Sequence, residues 1–239
     1  ASVFVYVTAV TNPLQACNDI FFKPGGVFTA VGEKNNWSWV AFIVVIVMAL
    51  LPQYLFVNFV DIAWYQDLII STEGDLSPAE IDQRRAFMTR SAFMLQHVVF
   101  TGIGFIVIQA IMALYLHLCT RNDDSHVFGF TDWYGFMWWT AMPAVINSLV
   151  AVALLLFWAD HQVSPAILAP FSLAFVLGIE MSSQWYAVAS GLSLITLWSI
   201  YLMAVGIARW TSFSTKKSVI IAAAPTVFFT SLFALFALT

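Results

Sequence analysis

The sequence predicts an all-α integral membrane protein: a polytopic bundle of five transmembrane helices preceded by a short N-terminal interfacial helix. Three observations carry this expectation. Only 9% of the 239 residues are charged while 61% are hydrophobic, too little charge to cover the surface of a soluble domain. Five apolar stretches, 37–60, 92–118, 133–158, 185–207 and 219–238, each reach the roughly 20 residues that a helix needs to cross a hydrocarbon core about 30 Å thick. Alternation of polar and apolar residues, the mark of a membrane barrel strand, is absent, and uninterrupted apolar runs satisfy their backbone groups in lipid as helices.

Taken in order, the opening ASVFVYVTAV has no basic region before its apolar residues and is not read as a signal peptide. Residues 1–36 read as a tail containing an interfacial amphipathic segment, and 37–239 as the membrane domain. In FFKPGGVFTAVGEKNNWSW, Pro24 suits a first helical turn, and Val27, Phe28, Ala30 and Val31 make a short apolar face for the cytoplasmic leaflet. Trp37 and Trp39 mark the membrane interface. The first span contains Pro52 and is expected to kink there. In the first loop, Ser77, Pro78 and Glu80 form a helix start with a capping box, and this polar helix is expected to run through Arg90 into the second span. The third span opens on Trp133, Tyr134, Phe136, Trp138 and Trp139, with Thr131 or Asp132 as cap, and is expected to kink at Pro143. The run PAILAPFSLAFVLG at 165–178 is short and broken by two prolines, so it is expected not to span but to be re-entrant or interfacial. Pro225 interrupts the fifth span.

Orientation follows from the basic residues of the loops. Lys23, Lys34, Arg121, Arg209, Lys216 and Lys217 fall on one side, and Arg84, Arg85 and Arg90 on the other. The bias predicts a cytoplasmic N-terminus and an external C-terminus, in the inner membrane if the protein is bacterial. The net charge of −4, with scattered basic residues, gives no reason to expect a nucleic-acid partner. Cys17 and Cys119 read as free thiols.

No Asp, Glu, Lys or Arg lies well inside a span, so the strongest polar candidates are Gln96, His97, Gln109, Asn147 and Ser148. Two readings stand: they bond between helices and hold the bundle, or they line a polar cavity for an ion or small solute. Either requires them to face inward, because an unpaired polar group in lipid costs several kcal/mol. The helix-kink prolines Pro52, Pro143 and Pro225 carry the same pair of readings, structural or hinge-like. His117, Cys119, Asp123, Asp124 and His126 lie close in sequence but match no zinc spacing, so no metal is expected. Asp160–His161 reads as a solvated helix end rather than an acid–base pair. No HExxH, GxSxG or phosphate loop occurs, and neither enzymatic activity nor a cofactor is expected.

Three segments, in order, carry a resemblance: FFKPGGVFTAVGEKNNWSWVAF, FTDWYGFMWWTAMPAVINSLV and LSLITLWSIYLMAVGIARWTSFSTKKSVIIAAAP. They resemble the Yip (Ypt/Rab-interacting) membrane domain, with its aromatic first span, aromatic third span with a central proline, and an "L..LW...L...G" fourth span before a short Ser-containing basic turn. The matching residues of the last segment are Leu194, Trp198, Leu202, Gly206, Ser214, Lys217 and Pro225. The resemblance implies a five-helix domain with a cytoplasmic N-terminus, and eukaryotic members bind small GTPases and partner Yip proteins. That role rests largely on a longer cytosolic region before the first span, where this chain has residues 1–36, so it resembles the short prokaryotic members and small-GTPase binding is doubtful. The expected role is a non-enzymatic scaffold or adaptor that binds other membrane proteins or itself. A channel or transporter with a polar cavity, and a lipid-handling or membrane-shaping protein, are the alternatives. Membrane lipids, a second copy or other membrane proteins are the expected partners.

Overall fold

A computed structural model describes residues 10–124 and 127–238. The opening nine residues, His126 of the metal-type run and the C-terminal Thr239 lie outside them. Among the described residues every regular element is helical. The N-terminal segment forms α1 (Pro13–Asp19), where the Asn12 side chain accepts from Gln15 N at 2.8 Å, and α2 (Pro24–Glu33). Then come α3 (Ser38–Phe59), α4 (Ile62–Ile70) and α5 (Pro78–Phe87). The next long stretch is α6 (Arg90–Met94), a π-helical turn over Leu95–Phe100 and α7 (Thr101–Thr120). α8 (Phe130–Thr140) and α9 (Pro143–Phe157) follow, then a 3₁₀ turn at Pro165–Leu168, α10 (Leu173–Val176), α11 (Tyr186–Gly191), α12 (Leu194–Trp210) and α13 (Thr215–Leu238).

Among the described residues, four stretches are long and apolar enough to cross a membrane: Ser38–Phe59, Arg90–Thr120, Phe130–Phe157 and Thr215–Leu238. The fourth expected span differs. Instead of one helix over 185–207, the chain makes the separate α11, then begins α12 only at Leu194 and carries it to Trp210, 17 residues. Leu192 is extended, and Ser193 pairs in an isolated antiparallel bridge with Ser172, so helix cannot continue through them. The 165–178 run breaks into the 3₁₀ turn and the four-residue α10, with no spanning helix.

The first loop also departs from expectation. The capping box at Ser77 and Glu80 is present, but α5 ends at Phe87. Met88 leaves the helical region, and Thr89, with its side chain accepting from Ala92 N at 3.2 Å, caps a new helix. For the third span, neither Thr131 nor Asp132 is the cap. Gly129 holds that position, and the Asp132 carboxylate accepts from Gly129 N at 2.8 Å. Pro143 does interrupt its span, through turn residues Ala141 and Met142, whereas α3 and α13 continue through Pro52 and Pro225.

The chain divides into two compact units. The first takes residues up to Val45, Val107–Pro143 and Trp198–Pro225. Its core is aromatic: Trp210 stacks on Phe128 at 4.1 Å between ring centres and meets Phe136 at 5.0 Å and Trp133 at 5.1 Å. Phe28 packs on Phe136 at 4.8 Å, and the Trp210 indole N–H donates to the Phe28 carbonyl at 2.8 Å. Val27, Phe28, Ala30 and Val31 are all buried, so the apolar face of α2 is covered by protein. The second unit takes Ile46–Ile106, Ala144–Leu197 and the residues from Thr226 onward. Its core joins Phe56, Val57 and Val60 of the first span with Tyr65, Phe93, Leu155, Val163 and Ile167.

Candidate functional site

The second unit holds a polar group that links two membrane-length stretches to α4. Pro52 cannot extend a hydrogen bond up its helix, and the next residue, Gln53, turns its amide to α6 and the π turn. His97 Nδ1 lies 2.8 Å from Gln53 Oε1, and His97 Nε2 lies 3.0 Å from the Tyr65 hydroxyl. An amide oxygen accepts only, so Nδ1 donates to it, and in the neutral imidazole Nε2 then accepts from the phenol. The chain of donors thus runs from Tyr65 through a neutral His97 to Gln53. Burial, with a smaller contribution from Tyr186, pushes the Tyr65 phenol up to about 12, so it keeps its proton at neutral pH. Phe56 and Phe93 pack on Tyr65 at 5.4 and 4.8 Å. The wide π turn sets Gln96 and His97 beside a shallow open hollow that Phe100 and Thr101 complete.

Gln96 takes no part in that chain. It is exposed, and among the described residues its amide has no hydrogen-bond partner. Arg90 begins the same stretch and donates to the carbonyls of Val57 and Val60, closing the C-terminal end of α3. His161 Nδ1 donates to the Phe59 carbonyl at 2.7 Å, and Asp61 N donates to the His161 carbonyl at 2.9 Å. His161 is thus a cap for α3, and Asp160 accepts from Gln162 N at 2.9 Å.

Two of the remaining polar candidates, Asn147 and Gln109, are engaged by backbone carbonyls. Asn147 donates to the Leu168 carbonyl at 2.9 Å, fastening α9 to the 3₁₀ turn, and Ser148 beside it is buried. Both belong to the second unit. In the first, buried Gln109 donates to the Met137 carbonyl at 3.0 Å, one turn before the break at Pro143. Pro225 leaves the Ile221 carbonyl without its usual helical donor, and the Tyr115 hydroxyl supplies one at 2.9 Å.

Of the metal-type run, Asp123 accepts from Ser212 N at 3.1 Å and also from the Ser212 hydroxyl. Among the described residues no group of His, Cys, Asp and Glu is placed to hold a metal. Cys17 and Cys119 are free thiols. Gln53, Tyr65, Tyr115 and the Asp123–Ser212 contact were not singled out from sequence. The one available signal was the place of Gln53 beside a mid-span proline.

The residues of the resemblance have identifiable work. Leu202 is fully buried, and Trp198 meets Phe21 edge-on at 5.6 Å. Gly206 faces the Phe136 ring so closely that a Cβ there would overlap it, and would come within 3.1 Å of Phe28. Ser214 accepts from Lys217 N at 3.3 Å at the start of α13, and the Lys217 ammonium sits 3.2 Å above the centre of the Phe213 ring. No curated protein and no solved structure matches the chain. The model of one family does, the Yip1 domain, across residues 18–238, and with its aromatic and proline-marked spans in that order the chain belongs to the Yip1 domain family.

Proposed function

We propose that this Yip1-domain membrane protein is a scaffold or adaptor that binds a second copy of itself or another membrane protein through the Gln96 face of its second span. The observation that carries this reading is the unpaired, outward-facing amide of Gln96. Six residues separate it from Arg90, which caps the end of α3, a depth of about 9 Å along the helix. An amide at such depth has no water to bond, and a partner helix relieves the cost. One glutamine offers both donor and acceptor, so two copies facing each other satisfy both groups. The stretch Arg90–Thr120 leaves room for a partner, with 11% of its apolar part buried.

In this reading α12 is the fifth crossing, the N-terminus is cytoplasmic, the C-terminus external, and a bacterial host would carry the protein in its inner membrane. Exposed Leu14 and Phe22 support contact of the N-terminal segment with the cytoplasmic leaflet. The solute-path reading has less support, since Gln109 and Asn147 are each bonded to a protein carbonyl.

The test is the assembly state in mild detergent. The wild-type protein is expected as a defined oligomer or with a co-purifying membrane protein. Gln96→Leu is expected to shift it to the monomer while its thermal unfolding stays unchanged. An unchanged assembly for Gln96→Leu would overturn this use of the face.

A further inference from the structure

At 17 residues α12 is about 26 Å long, some 4 Å less than a hydrocarbon core of about 30 Å. With the Trp210 end at one interface, the Leu194 end lies below the other. A helix that begins in water has its first N–H groups served by water, whereas one that begins in lipid needs protein partners. Here the partners are present. Leu194 N donates to the Phe171 carbonyl at 3.3 Å, and Thr196 N donates to the Ser193 hydroxyl at 3.1 Å. Leu173 N donates to the Leu192 carbonyl at 2.9 Å, completing the antiparallel bridge that pins 171–173 to the start of α12. The Ser172 hydroxyl, itself buried, donates to the Ala169 carbonyl at 2.7 Å and accepts from Phe175 N at 3.3 Å. Much of the irregular backbone is thus served by its own chain.

The side chains on this patch are apolar and face outward. Leu173, Val176 and Leu177 are 42%, 64% and 65% exposed, and Leu194 and Leu197 at the start of α12 are 65% and 61% exposed. The α10 surface therefore continues the outward surface of a helix already apolar enough for lipid. The polar residues Glu180, Ser182, Ser183 and Gln184 follow only after the turn at Gly178, which holds a left-handed φ of 63°. We infer that α10 and its flanking turn, residues 171–177, insert among the acyl chains of the leaflet at the Leu194 end of α12. They act as a shallow one-leaflet wedge that makes up the missing length of that helix. The occupant of the patch is lipid hydrocarbon, as for the apolar face of an amphipathic helix lying in the headgroup–acyl boundary.

The experiment places a nitroxide at Val176→Cys in the full chain with Cys17→Ala and Cys119→Ala. The protein is reconstituted in phosphatidylcholine–phosphatidylglycerol vesicles, with collisions measured against oxygen and a water-soluble nickel chelate. Oxygen should dominate at position 176 and nickel at a Gln184→Cys reference in the polar turn, a several-fold reversal of the ratio. Leu177→Cys gives an independent reading should the first variant fail to fold. Nickel dominating at 176 and 177 would place the segment in water and overturn the inference. Exclusion of both reagents would mean that protein, such as a second copy, covers the patch, and would overturn it as well.

Discussion

At the scale of single residues, the membrane helices are adjusted by groups that hydropathy does not register. Gly206 is an example, because its value is the space it leaves for the Phe136 ring. Gly206→Ala is expected to destabilise by about 1–3 kcal/mol through overpacking, against the gain of about 1 kcal/mol that alanine normally brings to a helix. Gly104, where an added methyl would meet nothing within 4 Å, is the control, and Gly104→Ala should be neutral or stabilising in the same thermal unfolding assay. Equal losses at both positions would contradict the packing argument. Tyr115 and Pro225 form a second case. Tyr115→Phe should cost about 0.6 kcal/mol, and at most about 1.7, by stranding the Ile221 carbonyl. In a Pro225→Ala background the helix regains its own donor, so the same tyrosine change should cost less. A double-mutant cycle with no coupling would refute that assignment.

At the scale of elements, α5 stands out because none of its residues is buried, yet it is capped at its start. Ser77 donates to the Glu80 carboxylate from its hydroxyl at 2.6 Å and from its backbone N–H at 2.8 Å. The hydroxyl first, then the backbone, hold Glu80 below the usual carboxylate range. A depressed folded value means that the cap is fully effective above the unfolded value and is lost as pH falls through the folded one. Amide protection across Pro78–Phe87 should accordingly drop over that acidic window. In Ser77→Ala, Glu80 should titrate closer to an ordinary glutamate, and identical titration curves for the two proteins by NMR would exclude the cap as the cause. Ion pairs from Arg84 to Glu73 at 3.1 Å and from Arg85 to Asp67 at 2.6 Å add to this exposed helix, though such pairs contribute little in water.

At the scale of the whole molecule, the distribution of basic residues yields a topology that labelling can check. The turn between α12 and α13 carries Lys216 and Lys217 just beyond it and belongs with the cytoplasmic set. In intact cells, Ser214→Cys should resist an impermeant maleimide until the membrane is permeabilised, while Asp75→Cys in the first loop should label at once. The reverse pattern would invert the topology. A cysteine at Leu238 distinguishes five crossings from four, because four spans between Asp75 and Leu238 put the two on the same side, whereas without a crossing by α12 three would put them on opposite sides.

The sequence by itself determined that the chain is helical and suited to membranes, and where its four longest apolar helices lie, since burial in hydrocarbon acts on each residue wherever its partners are. Proline at 143 was legible as a local signal, a missing N–H, but that signal alone did not decide the outcome, because α3 and α13 continue through Pro52 and Pro225. Capping at Ser77 was legible because its partners lie three residues apart. The tertiary structure alone decided which polar groups meet. Gln53, Tyr65 and His97 come from three different elements, and their hydrogen bonds depend on distances that no local pattern encodes. It also decided that Gln109 bonds the Met137 carbonyl and Asn147 the Leu168 carbonyl, and that the α2 apolar face packs on Phe136 and Trp210. The late start of α12 has the same origin: Ser193 is drawn into a bridge with Ser172, and a long-range backbone pairing overrides the apolar run that would otherwise have continued the helix.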